Sequence, residues 1–257
     1  MKKTYKREVK SALEGSVVKQ PEIITEDDLR PLPAIVQKYL RNTGVPGMEK
    51  VWNFRVEMEG KIRGKPTDNW MRLSSIQYNF IDDPARFFYI KALKMGVPAV
   101  GLHLYKNQKA SMVIKLAGLF TIADARGAEM DQGETVTVFN DMCFMAPATL
   151  INKSIKWEII DPYSVKAKYT NGKQSIEAIL FFDENGMIKD FLSNDRFETK
   201  DGKEYRNYPW STPVIEYTKR NGYLSPNKAK AIYHRPDGEF CYAEFEIKDV
   251  RFNCAYY

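Results

Sequence analysis

Two histidines, His103 and His234, are all the imidazoles in 257 residues. Any Ser-His or Cys-His machinery has to use one of them, and paired-histidine metal motifs such as H-E-x-x-H are excluded. The three cysteines, Cys143, Cys241 and Cys254, are odd in number and widely spaced. They form no C-x-x-C pair, which argues against a zinc site and against a disulfide framework. The phosphate, nucleophile-elbow and dinucleotide patterns G-x-x-x-x-G-K-[ST], G-x-S-x-G and G-x-G-x-x-G are also missing, so no cofactor is expected. No stretch approaches the roughly 18 apolar residues of a membrane span, and Met1 to Ser16 lacks the apolar segment of a signal peptide. As written, the chain is expected in the cytoplasm. A basic start ahead of a folded domain is also what remains when an N-terminal anchor is missing, which would make the protein membrane-tethered or periplasmic.

The formal charge is +6, but it is unevenly spread. Residues 1–20 carry Lys2, Lys3, Lys6, Arg7, Lys10 and Lys19 against Glu8 and Glu14, leaving about +2 for the rest. The folded part therefore has no evident basic stripe, and no nucleic-acid partner is expected. Hydrophobic residues make up 44% of the chain, enough for a proper core.

Patterning suggests residues 1–24 as a basic tail or short helix and 25–257 as one β-rich domain. Thr25 precedes Glu26, Asp27 and Asp28 as a cap precedes an acidic first turn. A second helix start follows at Leu32-Pro33 and ends near Gly44, giving helical segments near 25–43. From Val51 the period changes to two: Phe54, Val56 and Met58 alternate with Arg55, Glu57 and Glu59. Further strands are expected at Trp70–Phe80, Arg86–Leu93, Leu102–Tyr105 and Ser111–Leu116. A second helical segment is expected near 131–146, with Asp131 as N-cap, Glu134 closing a capping box, and Val136, Phe139 and Cys143 on one face. Five pairs, Asn171-Gly172, Asn185-Gly186, Asp201-Gly202, Asn221-Gly222 and Asp237-Gly238, then mark hairpin turns. One long strand fits between each pair of turns, an antiparallel meander that must twist and curve. The expected fold is α+β and mainly antiparallel: a long-stranded curved sheet, half-barrel or open barrel, packed around two or three helices.

The densest chemistry is "DARGAEMDQGE", with Asp124, Arg126, Glu129, Asp131 and Glu134 in eleven residues. It fails as an EF-hand, because Arg126, Ala128 and Glu129 occupy ligand and glycine positions. Two of its carboxylates could flank a sugar as acid and base. The alternative is a structural charged corner, in which Asp131 and Glu134 cap the helix and Arg126 makes a bidentate pair with a neighbouring acid, a pair that fixes the corner if it is partly buried. Tyr205, Tyr208, Pro209 and Trp210 beside Arg206 read either as a stacking platform or as a proline-bent strand end. Met142, Cys143, Phe144 and Met145, with Met95, Met112 and Met130, suit either an adaptable apolar surface or ordinary gap-filling. Lys94 to Gly101 is small, apolar and bounded by glycine, as a lid or a packed loop would be.

The segments "LPAIVQKYLRNTGV" (Leu32 to Val45), "NWM" (Asn69 to Met71), "LAGLFTIADARGAEMDQGE" (Leu116 to Glu134), "IKWEIIDPYSVKAKYTNG" (Ile155 to Gly172) and "YPWSTPV" (Tyr208 to Val214) resemble landmarks of an uncharacterised bacterial domain-of-unknown-function family. The resemblance covers nearly the whole chain and implies no catalytic residues. Many such proteins look as if they begin with a membrane-spanning segment, which this sequence lacks. At the level of fold, the meander resembles the lipoprotein-carrier (LolA-like) half-barrels, whose curved sheet encloses an apolar pocket.

These readings converge on a non-enzymatic binding or carrier protein for an apolar or amphipathic ligand such as a lipid. Met95, Met142, Met145, Tyr208 and Trp210 are the candidate ligand-binding residues; no catalytic residue and no metal ligand is assigned. A carboxylate-based hydrolase acting on a sugar or ester, and a membrane-surface module attached through the basic N-terminus, are the alternatives. The oligomeric state is open.

Overall fold

The structure is a computed structural model that describes residues 1–16, 20–94, 96–220 and 222–257. The basic N-terminus forms helix α1 (Lys2–Gly15), which buries Tyr5 and Val9, one turn apart. Helix α2 (Glu26–Leu29) opens on the expected cap, with the Thr25 backbone N–H donating to the Asp28 carboxylate at 2.8 Å. Helix α3 (Ala34–Thr43) starts after Pro33 and ends on Gly44, whose φ of 85° lets the chain turn off the helix.

Six strands follow in simple up-and-down order: β1 (Asn53–Ile62), β2 (Met71–Phe80), β3 (Ala85–Lys94), β4 (Val97–Lys106), β5 (Lys109–Leu116) and β6 (Phe120–Arg126). Helix α4 (Ala128–Met145) and a short 3₁₀ turn (Pro147–Ile151) come next. The second half comprises β7 (Ile155–Asp161), β8 (Ser164–Asn171), β9 (Gln174–Phe182), β10 (Ile188–Ser193), β11 (Phe197–Glu198), β12 (Arg206–Asn207), β13 (Trp210–Ser211), β14 (Val214–Arg220), β15 (Tyr223–Arg235) and β16 (Gly238–Phe252).

One curled antiparallel half-barrel sheet runs in the order β6-β5-β4-β3-β2-β1-β16-β15-β13-β10-β9-β8-β7. The β1–β16 ladder, Phe54 opposite Phe252 through Ile62 opposite Ala243, ties the two ends of the chain together at its middle. Helices α3 and α4 lie in the concave side. There Val136, Phe139 and Cys143 are buried as expected, Phe139 stacks on Tyr169 with centroids 5.3 Å apart, and the Tyr39 hydroxyl donates to the Cys143 carbonyl at 2.8 Å. Alternation along the strands sends Tyr78, Phe87, Tyr89 and Leu102 to the opposite, convex face, where α1 covers them with Tyr5 and Val9.

The structure corrects three expectations. Residues 96–101 are neither lid nor loop: Val97 pairs with Lys94 and the segment enters β4 directly. Gly96 makes the turn with φ of 80°, and Gly101 admits Ile90, whose Cγ2 would lie 2.6 Å from an added Cβ. The meander is also broken between Gly186 and Gly222, where five shorter strands replace two long ones. Pro209 and Pro213 bracket β13 and cannot donate to a ladder, so β13 and β14 pair with β15 separately, while β11 and β12 form a small sheet of their own. Gly202, at φ 85°, therefore turns a loop instead of a sheet hairpin. Asn221 and Met95 lie outside the described residues.

The third correction concerns the start of α4. Gly127, with φ of 109°, ends β6, and the helix begins at Ala128 rather than at Asp131. Asp131 is thus inside the helix, and neither it nor Glu134 caps it. Both point into the protein: from Gly133 to Phe144 every residue of α4 is buried. A helix buried on all sides must find partners for its polar groups within the protein.

Candidate functional site

Those partners build the most distinctive place in the molecule. Between α4 and the concave sheet lies a cavity of about 540 Å³. Its walls are apolar: Met58, Phe88, Ile90, Met112, Ile114, Phe240 and Phe245 from the sheet, and Met130, Phe144 and Met145 from α4. Its floor is polar, because α4 turns Glu134, Thr137, Asn140 and Asp141 toward the strands.

Arg86 organises this floor. Its Nε donates to Asp141 Oδ2 at 2.7 Å, Nη1 to Glu134 Oε2 at 3.0 Å, and Nη2 to Gln77 Oε1 at 2.9 Å. Asp141 Oδ2 also accepts from Gln77 Nε2 at 2.8 Å and Asn79 Nδ2 at 3.1 Å. Beneath the guanidinium lies the Phe88 ring at 4.7 Å. Burial pushes the Glu134 carboxyl up, but Arg86 and His103, the latter 3.5 Å away, outweigh it and hold the group down at about 2. Burial raises Asp141, and Arg86 and Asn79 offset this only in part. One arginine between two buried carboxylates accounts for the opposite directions.

A second cation borders the cavity from the connection after β10. Arg196 stacks on Trp210 at 4.5 Å and donates from Nη1 to the Tyr233 hydroxyl at 2.8 Å. Its Nε is shut off from solvent and has no hydrogen-bond acceptor. Glu198, on β11, is held by Nε and Nη2 of Arg235, with Nε at 2.9 Å.

The sequence-derived candidates separate clearly. Met145 and Trp210 line the cavity, as do Glu129 and Glu134. Met142 is buried in the core but does not line the cavity, and Tyr208 packs against the core from the side. Asp131 is turned away from the cavity, accepting from the Ala110 backbone N–H at 2.7 Å and from Lys109 Nζ at 2.8 Å. Among the described residues the Arg126 side chain makes one ion pair, Nε to Asp124 Oδ1 at 3.0 Å, with both side chains largely exposed. The expected bidentate clamp is instead a single-point surface pair, because β6 is an edge strand at the outer end of the sheet. The residues that matter most, Arg86, Gln77, Asn79, Asp141 and Arg196, went unnoticed in the pattern. A signal was present in "IQYNF", where Gln77 and Asn79 share a strand face that faces the concave side.

Ser211 Oγ lies 2.8 Å from His234 Nε2, and His234 Nδ1 lies 3.4 Å from Glu239. The order is that of a nucleophile, a base and an orienting acid. Ser211 is only 1% exposed, however, and none of the three residues lines the cavity. Among the described residues no cluster of His, Cys, Asp or Glu is placed to hold a metal ion, and no helix is long and apolar enough to cross a membrane.

A family model described as a family of unknown function (DUF6544) matches residues 22–245. The chain belongs to this family. The match takes in the segments quoted above, from Leu32 to Val214, and the whole cavity floor. No curated protein matches the sequence. Among solved structures, a domain described as an outer membrane lipoprotein-sorting protein from Vibrio parahaemolyticus is similar at 10% identity over 85% of this chain and 91% of that one, with a TM-score of 0.45. A DUF1329 family protein from Desulfovibrio piger is 12% identical over 86% and 92%, with a TM-score of 0.45. A LolA superfamily protein from Nitrosomonas europaea is 10% identical over 90% and 94%, with a TM-score of 0.41. Likeness at this level carries no argument about function.

Proposed function

We propose that this member of the family binds an apolar or amphipathic small molecule, such as a lipid, in the space between α4 and the concave sheet, and acts as a carrier or binding protein. The cavity carries this reading. Its volume of about 540 Å³ falls within the range of small-molecule sites, and its walls are apolar with a few convergent polar groups. An apolar guest entering such a space removes apolar lining from water and gains dispersion contacts along it.

The hydrolase alternative keeps two of the four acids in the 124–134 segment at the cavity with Trp210, Glu129 and Glu134, of which Glu134 is engaged by Arg86. The other two are turned elsewhere, Asp124 paired with Arg126 and Asp131 with Lys109 and the Ala110 amide.

The test is a fluorescence titration with N-phenyl-1-naphthylamine, a neutral dye that brightens in apolar surroundings, on the wild type and on Ala229→Phe. Ala229 lines the cavity, so the larger ring takes up part of it. Saturable binding by the wild type and weaker binding by the folded variant are expected. Equal binding by both, or none by either, contradicts the proposal.

A further inference from the structure

We infer that the guest is an acidic amphiphile, a single-chain molecule with an anionic carboxylate or phosphate head, and that Arg196 is the residue that takes the head. The inference rests on the cavity reading above and specifies the chemistry of its occupant.

The argument begins with what a buried guanidinium requires. Arginine carries five N–H donors in a planar fork and stays charged. Placing it in an apolar interior is costly unless carboxylates or other acceptors surround it. Arg86 shows the satisfied case, with all three of its nitrogens bonded to Asp141, Glu134 and Gln77. Arg235 shows another, with two nitrogens on Glu198. Arg196 differs from both. Its one hydrogen bond goes to a neutral hydroxyl, Tyr233, and its Nε has no acceptor. Among the described residues no carboxylate lies within ion-pair distance of it. The acids of its surroundings are already engaged: Glu134 and Asp141 by Arg86, Glu198 by Arg235.

The guanidinium belongs to the same space that the apolar walls enclose, since Arg196, Trp210 and Tyr233 all line the cavity. Stacking on Trp210 holds the guanidinium plane in place, which lowers the ordering cost when a head group arrives. An anion meeting the cavity side of the guanidinium would supply the charged acceptor that Tyr233 does not, in the charge-assisted pair that arginine makes with carboxylate and phosphate. An apolar tail then runs along Phe88, Ile90 and Met145. A neutral lipid gains nothing from the charge.

The experiment compares four probes by displacement of N-phenyl-1-naphthylamine: oleic acid, oleoyl lysophosphatidic acid, and the neutral monoolein and oleyl alcohol. Wild type, Arg196→Met and Arg196→Lys are tested, with melting temperature checked for each. Wild type is expected to prefer one or both acids by roughly ten- to a hundredfold over the neutral probes, the range of a charge-assisted pair. Which acid is preferred tells a carboxylate head from a phosphate one. Arg196→Met should lose that preference while still binding monoolein, and Arg196→Lys should keep part of it. Equal affinity of the wild type for acids and neutral probes overturns the inference while leaving the cavity reading intact, as does a preference undiminished in Arg196→Met. Binding of no probe at all overturns both. Should Arg196→Met fail to fold, the wild-type comparison still decides.

Discussion

Arg86 of β3 and Glu134 of α4, 48 residues apart in sequence, meet at 3.0 Å with their side chains 7% and 3% exposed. This ion pair, extended to Asp141, locks the buried helix against the concave sheet at the floor of the cavity. Arg86→Met leaves two carboxylates buried without a cation, and is expected to cost about 3–5 kcal/mol in urea unfolding. Glu134 adds an acid-side signature. Its folded value of about 2 lies below the ordinary 4.5, so its stabilising contribution is present above 4.5 and is lost as pH falls toward 2. Glu134→Gln should flatten the stability curve in that window.

Asp190 behaves in the opposite sense. Partial burial raises it to about 6, although it accepts the backbone N–H groups of Phe191 at 2.8 Å and Thr212 at 3.1 Å and faces the field of His234. An acid raised on folding stabilises most below its ordinary 3.8, and that contribution is lost as pH rises through about 6. Asp190→Asn should therefore be more stable than wild type at pH 8 and lose the slope between pH 4 and 6. Melting temperatures measured across that range check it; a slope unchanged by the substitution contradicts it.

Gly202 makes the loop after β11 fit against β6. Its φ is 85°, the Asp201 carbonyl accepts the Asp124 N–H at 3.2 Å, and an added Cβ would overlap the Asp124 carbonyl oxygen. Gly202→Ala should cost about 1–3 kcal/mol. Hydrogen exchange should localise the loss of protection to residues 196–204 and β6, leaving β15 and β16 unchanged.

Helix α1 is held mainly by Tyr5, whose ring is 5.6 Å from Tyr89, and by Val9. Tyr5→Ala is expected to remove about 3 kcal/mol or more of docking, enough to detach a helix with so few contacts. Its many lysines make trypsin the direct probe. Rapid cleavage at Lys6 and Lys10 with the remaining sheet intact is the expected result; wild-type resistance would show that α1 has other anchors.

The alternation from Phe54 to Met58 and the glycine turns at 172, 186 and 238 made a curved antiparallel sheet legible, because pleat and turn geometry are local. Asp131 and Glu134 misled for the same reason. Three-residue spacing matches a capping box, yet their true partners, Ala110 and Arg86, lie 21 and 48 residues upstream across a sheet. Only the fold brings them together. Met145 and Trp210 were accessible from composition, whereas Arg196 carries no neighbouring pattern at all. Its significance is the lack of a carboxylate partner among the described residues, which becomes visible only when every nearby carboxylate has been assigned.

The measurement that reaches the central claim most directly is a crystal structure with a terminally brominated dodecanoic acid, located by bromine anomalous scattering. The account predicts a bromine peak between α4 and the concave sheet, among Phe88, Ile90 and Met145, with the carboxylate at Arg196. A protein that takes up the acid in solution yet shows no peak in that space, or shows bromine only on the outer surface, would contradict it.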